Sequence, residues 1–269
     1  MDRPAWAPDG VDMQQPSPAR MYDALLGGSH NFAVDRMAAE KATELVPDLP
    51  RLALSNRAFL RRAVRFMLDA GIRQFLDIGS GIPTAGNVHE IVHEIDPEAR
   101  VLYVDIDPVA VVHSRTILAG RARAGAIEAD LRKSEDLIAK VGETGLIDFD
   151  EPVGLLLIAV LHLVQDADDP VGKVAALREA VAPGSFIAIS HLTSALRPED
   201  AGKLGEHSAT ETRVGIQFRS RDAIVELFEG WGMVSPGVVE LPLWRPESER
   251  DQHEKPGRSL GLAGVARRD

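Results

Sequence analysis

Three acidic residues, each at the end of an apolar stretch, have the residue type and spacing needed to bind a polar ligand. The first, Asp77, lies two residues before Gly79, and Gly81 follows at a spacing of two. This Asp-x-Gly-x-Gly pattern predicts a buried strand that ends in a tight turn, because glycine adopts backbone conformations closed to other residues. A carboxylate at that turn can pair with an ammonium group, whereas it would repel phosphates. An ordinary glycine turn of an α/β protein explains the same residues and stays an alternative.

The spacing of the glycines argues against a dinucleotide site. The dinucleotide fingerprint is Gly-x-Gly-x-x-Gly, in which the third glycine packs the helix against the strand. Here Thr84 occupies the third position, and the next glycine, Gly86, comes too late. The turn therefore favours a ligand that carries a cation over one that carries a pyrophosphate.

The second and third acids predict contacts to a nucleoside. Asp105 follows an apolar run, and an acid at the end of a second strand can accept hydrogen bonds from both ribose hydroxyls. Asp130 follows a short predicted strand and could accept a hydrogen bond from an adenine amino group, with Ile106 and Leu131 flanking the ring. NAD-binding folds share the ribose contact, so it indicates a nucleoside without saying which one.

These three features together resemble the class I S-adenosylmethionine (SAM) methyltransferases. Three further stretches resemble, more narrowly, a bacterial family that is abundant in actinomycetes and is known as S-adenosyl methyltransferase. They are residues 17–36 with the pattern Leu-Leu-Gly-Gly-x-x-Asn-Phe, residues 218–221 with Phe-Arg-Ser-Arg, and residues 231–239. The resemblance runs from about Ser17 to the last residue.

The resemblance implies an α/β, Rossmann-like class I methyltransferase fold and SAM as the cofactor. Its sheet would have seven mostly parallel strands with an antiparallel last strand, helices on both faces, and an N-terminal helical lid. The residues expected to bind the cofactor are Tyr22, Gly28, Asn31, Phe32, Arg36, Asp77, Ile78, Gly79, Ser80, Gly81, Asp105, Ile106, Asp130, Leu131, Ala159 and Val160.

His162 ends the longest apolar run, residues 153–161, and is the candidate catalytic residue. In the SAM fold this strand end lies between cofactor and substrate, and a histidine whose pKa is near the working pH can act as a general base. A structural histidine bonded to a neighbouring loop is an equal alternative, since methyl transfer often needs no strong base. Asp166, Asp168 and Asp169 precede Pro170 and are interpreted as helix caps, so no metal is expected.

The order of elements predicts a flexible leader at residues 1–16, a helical lid at 17–50 and the SAM-binding domain at 51–269. In the lid, Gly27 and Gly28 could end a helix in a left-handed conformation or close over the cofactor. A helix at 52–70 follows, whose arginines, Arg57, Arg61, Arg62 and Arg65, are expected on the solvated surface, although Asn56 or Arg57 could reach the ligand. Asp107 precedes Pro108 and is expected to cap a helix rather than bind ribose.

The amino-acid composition argues against two classes of partner, nucleic acids and membranes. The sequence has 41 acidic and 30 basic residues, a net charge of −11, which argues against binding to nucleic-acid phosphates. It has no cysteine, which fits a cytoplasmic protein, and no run of 18 apolar residues, so no membrane contact is expected.

The predicted function is SAM-dependent O- or N-methylation of a small-molecule acceptor. One alternative is a SAM-binding regulatory or partner protein without catalysis, because residues that hold SAM do not report on an acceptor. Others are a nicotinamide-dependent oxidoreductase, which the missing third glycine disfavours, and a nucleic-acid methyltransferase, which would need a basic surface.

Overall fold

The structure, a computed structural model, describes residues 7, 11–82, 86–212, 215–247 and 257–269. The strands are β1 (Gln74–Ile78), β2 (Arg100–Asp105), β3 (Ala124–Glu128), β4 (Gly154–Ile158), β5 (Phe186–Leu192), β6 (Gly232–Met233), β7 (Val239–Glu240) and β8 (Gly261–Arg267). The α-helices are α1 (Pro18–Leu25), α2 (Ala33–Leu45), α3 (Leu49–Asp69), α4 (Val88–Ile95), α5 (Pro108–Ile117), α6 (Ser134–Glu143), α7 (Pro170–Ala180), α8 (Pro198–Glu211) and α9 (Arg221–Glu226).

The strands form one sheet in the order β3-β2-β1-β4-β5-β8-β6, with β7 also paired to β8. Strands β1 to β5 are parallel, and β8 runs antiparallel to β5, which confirms the predicted fold class. Seven strands were expected, but the described residues form eight, because a turn at 235–236 separates the two short strands β6 and β7. The winding reverses between β1 and β4, which is where ligands bind in open α/β sheets.

The parallel strands are apolar on both faces because helices cover both sides of the sheet. Alternate residues point to opposite faces, so Phe75 packs with α3 and α4, whereas Leu76 packs with the buried residues of α6 and α7. Strands β1 and β4 are fully buried along their length. This two-sided core fixes the strand ends, and therefore the turns that follow them, in place.

Helix α3 corrects one expectation from the sequence. Arg62, expected on the solvated surface, is 2% exposed, and its guanidinium donates hydrogen bonds of 2.7 Å to the carbonyls of Leu241 and Trp244. These carbonyls belong to a segment about 180 residues away, so nothing in the local helical pattern indicates that Arg62 is buried.

The residues before β1 pack onto the domain. Gly27 ends α1 with a φ of 77°, the left-handed conformation expected at a helix end. The predicted leader lies partly outside the described residues; within its described part, Val11 and Met13 pack against a small cluster that includes Phe32 and Ile82. Among the described residues, no helix is both long and apolar enough to cross a membrane.

Candidate functional site

A cavity of about 340 Å³ lies at the carboxyl ends of the parallel strands, between the sheet and the helices α1, α3 and α8. The three acids singled out in the sequence, Asp77, Asp105 and Asp130, all line it. They converge because each follows a parallel strand, and parallel strands end at the same edge of the sheet.

The turn after β1 depends on its two glycines for different reasons. Gly79 has a φ of 72°, and a Cβ atom there would lie 2.3 Å from Cγ2 of Val160, so the turn after β4 packs directly on it. Gly81 has a φ of 65°, but a Cβ atom there would meet no atom within 4 Å. Gly81 is therefore required for its backbone conformation and faces open space at the cavity.

Asp77 is 5% exposed, and its surroundings act on its charge. Burial raises the pKa of Asp77 to about 7, the Arg57 guanidinium lowers that pKa in part, and the charge of Asp105 raises it further. Arg57 also lines the cavity, and among the described residues its guanidinium donates one hydrogen bond, of 2.7 Å, to the Gly86 carbonyl. A cation bound at Asp77 would offset the unfavourable free energy of burying this carboxylate. Arg57 has further N–H groups that could donate to an anion.

Asp105 is held by the backbone around it. Its Oδ2 accepts from the Gly81 amide at 2.7 Å, and its Oδ1 accepts from the Asp107 amide at 2.8 Å. Burial nevertheless raises the pKa of Asp105 to about 6. These bonds tie the turn after β1 to the end of β2 and fix the carboxylate at the cavity edge.

Asp107 has the structural position expected for it. Its Oδ1 accepts from the Val109 amide at 2.8 Å and caps α5. Its Oδ2 accepts from Arg20 at 3.2 Å and from the Ser17 hydroxyl, so the cap also holds the segment that carries α1.

Asp130 lines the cavity but already has a partner. Both of its carboxylate oxygens accept from the Arg132 guanidinium, at 2.9 and 2.7 Å, and Oδ1 also accepts from the Arg132 amide. Burial raises the pKa of Asp130, but the hydrogen bonds and charge of Arg132 outweigh burial and hold that pKa below its usual value. Since a carboxylate has about four acceptor positions, contact with an adenine amino group remains geometrically open.

A chain of hydrogen bonds crosses the middle of the cavity. Ala159, directly after β4, has a φ of 58°, unusual for a residue with a side chain, and its amide donates to the Ser190 hydroxyl at 2.9 Å. Ser190 donates to Asn56 Oδ1 at 2.6 Å, Asn56 Nδ2 donates to the Tyr22 hydroxyl at 2.9 Å, and Tyr22 donates to the Ala53 carbonyl at 3.1 Å. These hydrogen bonds link the residue after β4 to β5, α3 and α1 in the middle of the cavity.

His162 lines the cavity next to this chain, but its chemistry differs from the expectation. The imidazole is 8% exposed, and its Nδ1 is buried without a hydrogen-bond partner among the described residues. Burial, together with the charges of His191 and Arg219, lowers the pKa of His162 well below 6.5, not near the working pH. The ring is therefore neutral at pH 7 and is a weak base.

Arg219, from the Phe-Arg-Ser-Arg motif, organises the loop that carries His162. It donates to the carbonyls of Leu161 and Val164 at 2.9 and 2.8 Å, to the carboxylate of Asp166, and to Nε2 of His191 at 2.7 Å. Because Nε2 of His191 accepts, its Nδ1 must carry the proton that is donated to the Leu192 carbonyl at 2.7 Å. Burial lowers the pKa of His191 to about 4, so this ring is neutral as well.

Two of the acids interpreted as helix caps, Asp166 and Asp169, bond to neighbouring groups of the protein. Asp166 pairs with Arg219, and Asp169 caps α7 by accepting from the Gly172 amide at 3.0 Å. Within the part of the chain that the structure describes, no group of three or more His, Cys, Asp or Glu side chains could hold a metal ion.

Four of the five expected lid residues do not line the cavity. Asn31 donates to Asp23 and to the Gly28 carbonyl, and Arg36 donates to the Asn31 oxygens. Phe32 is buried in the small cluster with Ile82. These side chains make contacts within the lid. Of the five expected lid residues, only Tyr22 lines the cavity.

Gly28 has a packing role in this arrangement. A Cβ atom on Gly28 would lie 2.0 Å from Oδ1 of Asp23, a buried carboxylate whose Oδ2 accepts from the His30 amide and from Asn31. The glycine therefore lets the turn after α1 close on Asp23.

A buried ion-pair network, which the sequence did not reveal, anchors the lid. Arg20, 4% exposed, donates to Asp35 of α2 at 2.9 Å and to Asp107 at the end of β2. Asp35 also accepts from the amides of Ser17 and Phe32, at 2.9 and 2.7 Å. Arg20 thus links the two helices of the lid to Asp107, which lies two residues after Asp105, the candidate for ribose binding.

The cavity brings together most of the residues expected at the site. Those that line it are Tyr22, Asp77, Ile78, Gly79, Ser80, Gly81, Asp105, Ile106, Asp130, Leu131, Ala159, Val160 and His162. Asn56 and Arg57, both considered from the sequence, line it too, whereas Ser190 and His191 were not singled out. These two lie at the end of β5, and their position after an apolar run was the available signal.

Comparison with known proteins identifies a family that this chain resembles along its length. The sequence profile of a protein family described as S-adenosyl methyltransferase matches residues 4–269. A crystal structure of a protein from Thermobifida fusca, provisionally assigned as a methyltransferase, is 38% identical, covers 98% of this chain and 99% of its own, and superimposes with a TM-score of 0.91. A DUF574 family protein from Streptomyces avermitilis is 34% identical, with coverages of 96% and 99% and a TM-score of 0.91.

More distant structures share the fold alone. An O-methyltransferase family protein from Burkholderia thailandensis is 14% identical, covers 88% of this chain and 60% of its own, and has a TM-score of 0.52. Among curated proteins, none matches the sequence.

Proposed function

The chain belongs to the S-adenosyl methyltransferase family, and we propose that it transfers the methyl group of SAM to an oxygen or nitrogen of a small molecule held in the cavity described above. Family membership establishes a SAM-dependent methyltransferase, with SAM as the cofactor. The acceptor and the roles of individual residues are proposals.

The residues at one end of the cavity fit SAM. Asp77 would take the ammonium group and Arg57 the carboxylate of the methionine moiety, since these two side chains already interact electrostatically. Asp105 would accept from the ribose hydroxyls, and Asp130 and Leu131 would contact the adenine. The open space beside Gly81 leaves room for a ligand to approach the backbone there.

The observation that carries the proposal is the continuity of the cavity. It runs from these acids, past Tyr22, Asn56 and His162, to apolar side chains of α3 and α8. A molecule in the second part would lie beside one in the first, as a group transfer between two ligands requires.

The bound SAM would supply an activated methyl group on a sulfonium, so the chain's own task is orientation. The hydrogen-bonded chain through Ser190, Asn56 and Tyr22 fixes the backbone of Ala159 between the two parts of the cavity. His162 is neutral and poorly basic, so it would orient an acceptor's polar hydrogen or lone pair rather than remove a proton in a separate step. The acceptor atom would bond to the methyl carbon as the carbon–sulfur bond breaks, and the proton that the acceptor loses would pass to solvent.

The same proposal includes the partner class and the location. A net charge of −11 supports a small-molecule acceptor over nucleic acid. The absence of cysteine fits a reducing compartment, and we propose the cytoplasm.

Binding of truncated ligands tests the site residues. S-adenosylhomocysteine carries the amino acid moiety, and 5′-methylthioadenosine lacks it. Arg57→Met should weaken binding of S-adenosylhomocysteine by about tenfold or more and leave binding of methylthioadenosine unchanged, because a charged hydrogen bond contributes about 1.5–3 kcal/mol.

Asp105→Ala should weaken binding of both ligands. Arg51→Met, an exposed arginine of the same helix, is the control and should change neither. Equal effects of Arg57→Met on both ligands, or wild-type affinity in Asp105→Ala, would contradict these assignments.

A further inference from the structure

The part of the cavity away from the acids has mainly apolar walls; His207, Ser208 and Thr212 also line it on the α8 side, and their side chains bond within the protein. We call this part of the cavity the acceptor chamber, and its walls include Leu49, Leu52, Leu192, Leu204, Ile216 and Leu241. These side chains come from α3, β5, α8 and the segments that follow α8 and precede β8. The charged side chains among the described lining residues lie at the other end, with Asp77 and Asp105.

One face of α3 sets this division. The residues of α3 that line the cavity are spaced three or four apart, at 49, 52, 53, 56, 57 and 60, so they form a single stripe on the helix. The N-terminal part of the stripe is apolar, with Leu49, Leu52 and Ala53. Asn56 and Arg57 follow one turn later, where Arg57 interacts electrostatically with Asp77, and Leu60 ends the stripe.

The walls of the chamber are fixed by packing. A Cβ atom on Gly261, which also lines the cavity, would lie 2.4 Å from Cδ1 of Leu241 and 3.3 Å from Cδ1 of Leu52. Helix α8 is held over the chamber by His207, whose Nε2 lies 3.2 Å from the Ala38 carbonyl of α2, and by Arg197, which pairs with Asp48 at 3.1 Å. The leucines therefore face a ligand from preformed positions.

One buried polar atom without a partner among the described residues belongs to the side chain that lies where the chamber meets the cofactor end. His162, more than nine-tenths buried, has an Nδ1 without a hydrogen-bond partner among the described residues. The neighbouring polar groups are already engaged: Ser190 donates to Asn56, Asn56 donates to Tyr22, and Tyr22 donates to the Ala53 carbonyl. A ligand that reaches this junction would thus meet one uncommitted, neutral imidazole.

We infer that the methyl acceptor is an uncharged, hydrocarbon-rich molecule that fills the acceptor chamber and places its hydroxyl or neutral amino group beside His162. A charged group against aliphatic walls would lose its hydration without a compensating partner, whereas hydrocarbon surface gains by leaving water. This inference rests on the proposed function, because it assumes that SAM occupies the acidic end.

A matched pair of probes tests the inference on the unmodified protein. The protein is saturated with S-adenosylhomocysteine and titrated calorimetrically with 2-naphthol and with 6-hydroxy-2-naphthoate, which differ by one carboxylate. We expect 2-naphthol to bind at least about tenfold more tightly. Equal or tighter binding of the naphthoate, or binding of neither probe, would overturn the inference.

Two leucines of α3 provide a matched pair of variants. Leu52 is 8% exposed and lines the chamber, whereas Leu54, two residues later, is 43% exposed and does not. Leu52→Gln should weaken 2-naphthol binding about tenfold, and Leu54→Gln should leave it unchanged. Unchanged 2-naphthol affinity in Leu52→Gln would place the probe outside the chamber and overturn the inference.

Titration with S-adenosylhomocysteine distinguishes a failure of the acceptor-chamber inference from a failure of the proposed function. If both variants bind it as the wild type does, the fold and the cofactor end are intact, and the probe results judge the chamber alone. If Leu52→Gln does not fold, the probe pair on the wild type still decides. If the wild type does not bind S-adenosylhomocysteine at all, the proposed function fails, and with it the inference.

Discussion

At the scale of single residues, Asp77 is a carboxylate whose burial is unfavourable unless a cation binds beside it. Its carboxylate is buried beside a second acid, Asp105, and its pKa is raised to about 7. An ammonium group bound there would interact only with the deprotonated form and would lower that pKa. In the ligand-free protein, burial therefore favours the protonated form of Asp77 more than it does in an exposed carboxyl group.

This predicts a pH dependence of cofactor affinity. Because binding requires deprotonated Asp77, affinity for SAM should be fully present above pH 7 and should fall by about tenfold per pH unit as the pH drops below 7. Calorimetric titrations at pH 6, 7 and 8 measure it. The control ligand 5′-methylthioadenosine has no ammonium group and should lose much less affinity between pH 8 and 6. A flat profile for SAM would show that Asp77 does not bind its ammonium group.

Residue-scale sequence reasoning succeeded where a motif is local and missed what depends on distant partners. Asp77, Gly79 and Asp105 were placed correctly at the cavity because strand ends and glycine turns are visible in short stretches. The pKa of His162 could not be foreseen, since it depends on burial and on Arg219, which lies far along the chain. The burial of Arg62 was missed for the same reason.

At the scale of elements, the lid is attached by buried charge rather than by an apolar face alone. Arg20 of α1 pairs with Asp35 of α2, which is fully buried, and with Asp107 at the end of β2. Helix α1 also supplies Tyr22 to the cavity wall. The position of that wall therefore depends on a network that touches no ligand.

Removal of Asp35 should show this dependence. Asp35→Ala removes one of the two carboxylates that pair with the buried Arg20 and leaves two amides without their acceptor, so it should lower the free energy of unfolding by about 3–5 kcal/mol. It should also weaken SAM binding, although Asp35 does not line the cavity. Lys41→Ala, which breaks an exposed ion pair of the same helix with Glu211, is the control and should cost at most about 1 kcal/mol. Urea unfolding and calorimetry measure both effects; if the two variants behaved alike, the network would have no special role.

The elements also show what the sequence could not predict about the lid. The two helices and the glycine between them were expected, and they are present. The use of Asn31, Phe32 and Arg36 was not, because Asn31 and Arg36 bond to partners within the lid and Phe32 packs in the cluster with Ile82. Ser17 and Arg20 reach Asp107 across 90 and 87 residues, and no periodicity or spacing records such a contact.

At the scale of the whole molecule, one cavity divides into an acidic end and an apolar end, and the fold explains the division. The acidic end is built from the turns after β1, β2 and β3, which carry a carboxylate each. The apolar end is built from helices that cover the sheet and from its antiparallel edge. The succession of strands and helices along the chain was predictable from the alternation of apolar runs and helical patterns, whereas the shape of the apolar end arises from packing between α2, α3 and α8.

The most direct test of the central claim is a calorimetric titration of the purified protein with SAM, S-adenosylhomocysteine and NAD at pH 8. We expect both sulfur-containing ligands to bind in the micromolar range, because Asp77, Arg57 and Asp105 converge on one cavity. We expect no binding of NAD, because Thr84 replaces the third glycine of the dinucleotide fingerprint. Binding of NAD, or of none of the three ligands, would contradict the assignment of this cavity as a SAM site.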